Sequence, residues 1–241
     1  MDKFEKVKLQ KKWFSNSSRQ LNAEEKKMHH CFEFRGWHCN GAMNKLVFTP
    51  DSVIGCCTAT DGVEPPAFFP NYKGEIISRE SYFKQVKKLI TSNNSHNRPP
   101  RCQNCKELKY GAWKVSSDIK VMTLHHQTPC NLSCIYCRPE GWEKGLYGWW
   151  DMHKPAQYSV LPLIRSMAMN GALGRPFTLC YGGGEPSIQK DFPEHLDLFK
   201  RLKFDVVNIY TNAVRFSPIL AERIADAVKY HRQNKRRCRD S

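Results

Sequence analysis

The amino-acid sequence predicts an α/β fold, in which a small cysteine-rich α+β module precedes about three βα units. Two observations support this prediction. In the second half of the chain, three apolar runs alternate with helical segments, a pattern typical of a parallel sheet, either open or part of a barrel. In the first half, a hairpin pattern and one helical segment lie among six cysteines. We expect a basic N-terminal arm, the cysteine-rich module, the α/β core and a basic tail at residues 1–30, 31–112, 113–230 and 231–241.

The first half is predicted to contain one β-hairpin and one helix. Short apolar strands at 46–48 and 53–54 flank "TPDS", whose proline and aspartate favour a turn. The next stretch, "PPAFFPNYKG", is expected to be a loop. "ESYFKQVKKLI" is predicted to be a helix because its apolar residues recur at helical spacing. "SNNSHNRPPRC" then ends that helix and leads to the pair Cys102 and Cys105.

The second half is predicted to alternate between strand and helix. The strands are expected at 119–124, 176–181 and 204–210, and the helices at about 159–170, 191–202 and 217–229. Each distinctive motif directly follows one of these strands: first the run "CNLSCIYC", then "GGGEP", then "TN". Because ligands bind at the carboxyl ends of parallel strands, we predict a site at this edge of the sheet.

Composition and charge restrict the class of protein. Apolar residues make up 40% of the chain, which favours a folded core over global disorder. No apolar run is long enough to predict a membrane span, and the charged N-terminal segment lacks the apolar centre of a signal peptide, so we expect a cytoplasmic protein. The net charge of +15 is compatible with an anionic partner such as nucleic acid. Much of it lies in the two ends, however, a pattern typical of solvated tails.

The cysteines are the most informative residue type. In a reducing compartment, eleven cysteines favour metal binding or redox chemistry over disulfides. Cys130, Cys134 and Cys137 form a C-x3-C-x2-C run, which supplies three thiolates where structural zinc and most iron–sulfur sites use four ligands. Either His125 or His126 completes a zinc site, or the run holds a four-iron cluster with one iron open to a substrate or cofactor.

The motifs together resemble those of the radical S-adenosylmethionine (radical SAM) superfamily. The cysteine run, with an aromatic residue just before its last cysteine, resembles the superfamily's cluster loop; "GGGEP" resembles its Gly-Gly-Glu motif and "YTN" its Thr-Asn motif. Order and approximate spacing agree over residues 118–230. The resemblance implies a partial (βα) barrel and a [4Fe-4S] cluster held by the three cysteines. It also implies contacts with SAM from Tyr136, Gly183, Gly184, Glu185, Thr211 and Asn212, the glycines and the glutamate receiving the methionine amino group.

The activity that this resemblance implies is reductive cleavage of SAM. An external one-electron donor would reduce the cluster, and the 5′-deoxyadenosyl radical formed would abstract hydrogen from a substrate, either a peptide or a small metabolite. The usual radical SAM domain has about six βα units, and only three are visible here. The implied alternatives are a fragment, a truncated inactive relative, or a chain whose barrel a partner chain completes. The competing interpretation is a zinc-binding basic protein that binds nucleic acid.

The first half resembles the SPASM/twitch module, which carries an auxiliary iron–sulfur cluster. That module combines a cysteine, a hairpin, one or two further cysteines, a helix and a closing C-x2-C, although Ser52 stands here where its hairpin usually has glycine. The resemblance implies a second cluster. Its ligands would be Cys39, Cys56, Cys102 and Cys105, with Cys57 or Cys31 as substitutes. A structural zinc ribbon with four thiolates is the alternative.

Overall fold

The computed structural model describes most of the chain from residue 31 onward and defines its secondary structure. The described residues are 31–39, 42–56, 66–96, 98–103, 105–126, 129–132, 156–202, 204–212, 214 and 218–226. Their strands are β1 Cys31–His38, β2 Lys45–Phe48, β3 Val53–Ile54, β4 Ala67–Phe69, β5 Lys109–Ser116, β6 Ile119–Leu124, β7 Leu173–Tyr181 and β8 Val206–Ile209. The helices are α1 Arg79–Asn93, α2 Pro100–Gln103, α3 Val160–Met169 and α4 Phe192–Leu202, and residues 218–226 are also helical.

The described strands form two sheets. Six strands make one sheet in the order β4-β3-β2-β6-β7-β8, while β1 and β5 form a separate antiparallel ribbon. Within the larger sheet β2, β6, β7 and β8 run parallel, and β3 and β4 are added antiparallel at one side. A mixed α/β fold with a parallel centre follows from this order. The partial barrel stays a prediction.

The βα units of the second half form as predicted. β6 occupies the predicted residues, and α3 begins after Ser159, whose side chain accepts a hydrogen bond from the backbone N–H of Leu161. β7 begins three residues before the predicted start because Leu173 pairs with Ile119 at the first residue of β6. Residues 217 and 227–229 of the last predicted helix lie outside the described residues, as do the basic arm and tail.

The predicted hairpin is confirmed, with serine in its turn. Val47 and Phe48 pair with Ile54 and Val53. The Thr49 N–H donates to the carbonyl of Ser52 at 2.9 Å, and the Ser52 N–H donates to Oγ1 of Thr49 at 3.1 Å. The left-handed non-glycine residues of the described chain are Asn44 and Asn71. Ser52 therefore needs no glycine-like conformation, and its side chain takes part in closing the turn.

The prediction of a continuous loop at "PPAFFPNYKG" was wrong. Ala67–Phe69 forms β4, which pairs with β3 at the edge of the sheet, and the Phe68 side chain is buried. Proline on both sides of a three-residue apolar segment favours a loop, but an edge strand tolerates proline because one side of its backbone makes no sheet hydrogen bonds. Burial of the Phe68 ring supplies the packing that stabilises this short strand.

The two halves of the chain share the larger sheet. β2 pairs in parallel with β6, and the predicted boundary near residue 112 falls inside β5. Arg79 at the start of α1 forms an ion pair with Asp118 at 2.9 Å and donates to the carbonyl of Gly171. The C-terminal ends of four parallel strands consequently meet at one edge. Among the helices of the described ranges, none combines the length and apolar character that a membrane crossing requires.

Candidate functional site

The sheet aligns the starts of three motif-bearing loops. The Gly182 N–H donates to the carbonyl of Leu124 at 3.0 Å, and the Tyr210 N–H donates to the carbonyl of Tyr181 at 2.9 Å. These bonds extend the β6–β7 and β7–β8 ladders past the strand ends. The loops that follow the three strands therefore leave the sheet side by side, at the edge where the motif pattern predicts a ligand site.

Glu185 lies at the centre of this edge. Glu185 is 1% exposed, and its carboxylate accepts hydrogen bonds from three donors of the chain itself. Oε1 accepts from the Ser187 N–H at 2.9 Å and from the Thr211 hydroxyl at 2.6 Å, while Oε2 accepts from the Asn212 N–H at 2.6 Å. Burial is the largest influence and raises the pKa of Glu185, but these hydrogen bonds together outweigh it and hold the pKa below its ordinary value.

Asn212 connects this network to the cysteine loop. Its side-chain Nδ2 donates to Oδ1 of Asn131 at 2.9 Å and to Sγ of Cys130 at 3.8 Å. Its Oδ1 accepts from the Val214 N–H at 3.0 Å, which fixes the orientation of the amide. The Glu185 N–H in turn donates to the carbonyl of Pro129 at 3.0 Å. The first cysteine, the glutamate and the Thr-Asn pair are thus brought together.

The glycines before Glu185 permit a close approach of backbone. Gly183 has φ of +99°, a left-handed conformation that side chains rarely adopt. A Cβ on Gly182 would lie 3.2 Å from the Tyr210 ring, closer than an ordinary contact. Gly183 and Gly184 are half-buried, so their backbone groups lie at the accessible side of the turn. The same segment continues into a 3₁₀ turn, Pro186–Ile188, that Glu185 caps.

Several predicted ligands fall outside the described residues. Cys134, Cys137 and Tyr136 of the cysteine loop and Cys57 of the first half belong to this group. Cys130 is the member of the trio whose position is described, and its side chain is exposed. Across the ranges that the structure describes, no three His, Cys, Asp or Glu side chains are arranged closely enough to hold a metal ion.

The two histidines considered as zinc ligands differ in their surroundings from the exposed Cys130. His126 is 1% exposed and packs edge-on against Tyr181, with ring centroids 5.9 Å apart. Burial is the main cause that lowers the pKa of His126 to about 3, and burial also lowers the pKa of His125 to about 4. Both rings are therefore neutral at pH 7, and that of His126 belongs to the aromatic core under the sheet edge.

The second cysteine group is centred on Cys39. This residue is 6% exposed, and burial raises the pKa of its thiol to about 12. A hydrogen bond with the backbone of Ala42 acts in the opposite direction and lowers the pKa. The pKa is raised further by the negative charges of the other three predicted ligands, Cys56, Cys102 and Cys105. Cys39 is therefore close enough to each of these three cysteines to be influenced electrostatically, although the described cysteines are not arranged as a closed metal site.

Cys31 and Cys39 are not interchangeable. They lie at opposite ends of β1, whose eight residues span about 26 Å. Cys31 is paired across the ribbon with Ser116, whereas Cys39 follows the far end of the strand, near the other thiols. Of these two residues, the structure brings Cys39 to the predicted auxiliary group.

Comparison with known proteins gave no relatives. No protein-family model, no curated protein and no solved structure matches this chain.

Sequence reasoning missed a buried polar group next to this edge. The Tyr181 hydroxyl donates to Oε1 of Gln189 at 2.6 Å and lies 2.8 Å from Nδ1 of His195. His195 is fully buried and stacked on Phe199, and burial lowers its pKa to about 4 although Asp191 raises it. Tyr181 was predicted only as the end of a strand. Nothing local in the sequence marks its hydroxyl as buried, because its partners come from α4 and the segment before that helix.

Proposed function

We propose that this chain is a radical SAM enzyme, with a [4Fe-4S] cluster at Cys130, Cys134 and Cys137 and an auxiliary iron–sulfur site in its first half. The observation that carries the proposal is the hydrogen-bonded network that joins Cys130, Glu185 and Asn212. These residues come from three separate motifs, and the outermost two are 82 positions apart in the sequence. The resemblance to radical SAM enzymes requires these three motifs to meet at the carboxyl edge of a parallel sheet. Turns that share no function would have no reason to bond to one another there.

The surroundings of Cys130 fit a cluster thiolate. Its sulfur is exposed at the sheet edge, and the Leu132 N–H at 3.5 Å and Nδ2 of Asn212 at 3.8 Å are directed at it. Hydrogen bonds to the cysteine sulfurs are one of the means by which proteins adjust iron–sulfur clusters. When bound, the cluster would pass one electron from an external donor to the sulfonium of SAM and so generate the 5′-deoxyadenosyl radical.

The described residues have separate tasks in this proposal. Gly183 and Gly184 leave backbone groups accessible for the cofactor. Glu185 and Thr211 hold the loops after β7 and β8 in register. The packed aromatic residues beneath the edge, Tyr181 among them, exclude water from the sheet side of the site. The proposed substrate is a peptide or a small metabolite. We also propose that a partner chain completes the barrel and that the enzyme acts in the cytoplasm.

The auxiliary site is proposed at Cys39, Cys56, Cys102 and Cys105. Its support is the electrostatic influence that Cys56, Cys102 and Cys105 exert on the buried Cys39 thiol, the four cysteines coming from three separate segments of the chain. A bound cation would reverse the effect of burial and favour the thiolate form of each ligand. Iron–sulfur and zinc differ in colour and metal content. Anaerobically purified protein should be brown and contain two populations of iron; colourless, zinc-loaded protein would favour the zinc-binding alternative.

The decisive experiment is SAM cleavage after anaerobic reduction. We expect methionine and 5′-deoxyadenosine to be released by the unaltered chain and not by Cys134→Ala, which removes a cluster ligand. Cys180→Ala is the matched control, because Cys180 lies on β7 outside the cysteine run. Cleavage that persists in Cys134→Ala, or iron binding without cleavage in the unaltered chain, would contradict an active enzyme of this class.

A further inference from the structure

Glu185 has little capacity left for an external ligand. An ionised carboxylate offers about four acceptor positions, and three of them are used by Ser187, Thr211 and Asn212. The side chain is also buried, so a ligand ammonium group would need to displace one of these donors. The carboxylate therefore has the surroundings of an internal connection rather than of a receptor for the methionine amino group.

The connection that Glu185 makes ends at Asn212. The short bond from the Asn212 N–H to Oε2 fixes the backbone of residue 212 against the loop after β7. Val214 then orients the amide through Oδ1, which leaves Nδ2 directed to Asn131 and to Cys130 Sγ. Three loops are thereby joined through one asparagine.

We propose that Glu185 is a positioning residue that holds Asn212, and that the Asn212 amide donates a hydrogen bond to the Cys130 thiolate of the cluster and raises its reduction potential. This role rests on the proposed function, because it needs a cluster at Cys130. A donor to a ligand sulfur stabilises the more negatively charged reduced state, so its removal makes reduction more difficult. In this role, Asn212 helps to set the reduction potential at which the proposed cluster accepts an electron.

The chain provides an internal control for this role. Nδ2 of Asn208 lies 3.7 Å from Sγ of Cys180, at nearly the same distance as Asn212 from Cys130. Both are asparagine amides near a cysteine sulfur, but Cys180 is outside the predicted cluster loop. Replacement of Asn208 therefore reproduces the loss of an amide–sulfur contact without a contact to the cluster.

The first test is an anaerobic redox titration of iron-loaded protein, followed by electron paramagnetic resonance of the reduced cluster. We expect a more negative midpoint potential in Asn212→Leu, which removes the donor. A still more negative value is expected in Asn212→Asp, which keeps an acceptor for Val214 but adds a charge. Asn208→Leu should retain the original potential. Equal potentials in all four proteins overturn the proposal.

The second test needs no iron. In the wild-type chain, nuclear magnetic resonance should find the Asn212 backbone N–H shifted downfield and protected from exchange, as a bond to a buried carboxylate requires. Glu185→Gln should accelerate its exchange about tenfold or more, since a bond to a charged acceptor is lost. Thr211→Val, which leaves the Asn212–Glu185 bond in place, should not. An unprotected amide in the wild-type chain contradicts the positioning role, whether or not the Gln variant folds.

The two tests separate this role from the proposed function. A chain that takes up no iron refutes both the enzyme and the control of the potential, while the exchange measurement still decides whether Glu185 holds Asn212. A chain that binds iron and cleaves SAM, but whose Asn212 variants keep the original potential, refutes only the role assigned here.

Discussion

The sheet edge near Cys130 and the cysteine-rich first half differ in how the chain stabilises the buried side chain at their centre, Glu185 in the first and Cys39 in the second. At the sheet edge, the buried Glu185 carboxylate is stabilised by three hydrogen bonds from the chain, and its pKa is held low. In the first half, the buried Cys39 thiol lies among other thiols, and burial raises its pKa to about 12. The hydrogen bonds of the first region stabilise its buried charge, whereas the second region would need the proposed cation to make its thiolates favourable. The sheet edge should therefore keep its shape without a ligand, and the cysteine-rich segment should depend on one.

Removal of the proposed auxiliary metal should have the largest effect. Metal bound at four thiolates stabilises a small domain by about 10 kcal/mol or more, so chelation should lower the unfolding midpoint of the first half by at least about 10 °C. Hydrogen exchange with mass spectrometry should show faster exchange in β1 and β5 than before, with β6 and β7 unchanged. Cys39→Ala should reproduce this loss, while alanine at the exposed Cys130 should not.

If chelation reduced protection from hydrogen exchange equally in β1 and β5 and in β6 and β7, the comparison between the two regions would be contradicted. It would mean that the sheet edge also depends on bound metal and that its hydrogen bonds are insufficient to hold it.

Acidification should destabilise the sheet edge through its buried histidines. Burial lowers the pKa of His126 to about 3, so as pH falls below 6.5 the unfolded chain takes up a proton that the folded chain does not. Stability should then decrease by about 1.4 kcal/mol per pH unit for this residue, from pH 6.5 down to about 3. His126→Phe should reduce the slope of unfolding free energy against pH by that amount. An unchanged slope would show that the ring is protonated in the folded state.

The sequence predicts much of the edge but not its internal bonding. The hairpin is recognisable because its apolar strands flank a turn with proline and aspartate, and β6 is recognisable as a short run rich in apolar and β-branched residues. The parallel pairing of β2 with β6 has no such signal, because Leu46 and its partner Met122 are separated by most of the first half. The buried character of all residues from Leu46 to Phe48 agrees with a central parallel strand, which is covered on both faces.

The residue type of Glu185 did not predict the hydrogen bonds that its carboxylate accepts. A glutamate after glycines suggests a receptor for an ammonium group, because opposite charges attract. Its actual surroundings depend on three N–H and O–H donors, and two of these come from a loop more than 20 residues away. Spacing alone could place the motifs at one edge, but it could not show that they bond to one another.

Loss of the buried Tyr181 hydroxyl should have a moderate effect. Tyr181→Phe leaves Oε1 of Gln189 and Nδ1 of His195 without this buried partner, which should cost about 1–3 kcal/mol in the free energy of unfolding. Tyr210→Phe is the matched control, since the Tyr210 side chain is 60% exposed and its replacement should change stability by less than about 0.5 kcal/mol. Urea unfolding measures both. Similar values for the two variants would show that the hydroxyl network contributes nothing at this edge.

The smallest expected effect concerns the ion pair that joins the two regions. Arg79 of α1 contacts Asp118 before β6 at 2.9 Å, and both side chains are about one-third exposed. Solvent screening limits such a pair to about 0.2–1 kcal/mol, so Asp118→Asn should lower the free energy of unfolding only slightly, and less at high salt. Because parallel β2–β6 pairing already holds the regions together, the variant should unfold in one transition when the proposed metal is bound. Two separate transitions would show that this single contact, rather than the shared sheet, couples the cysteine-rich segment to the motif-bearing edge.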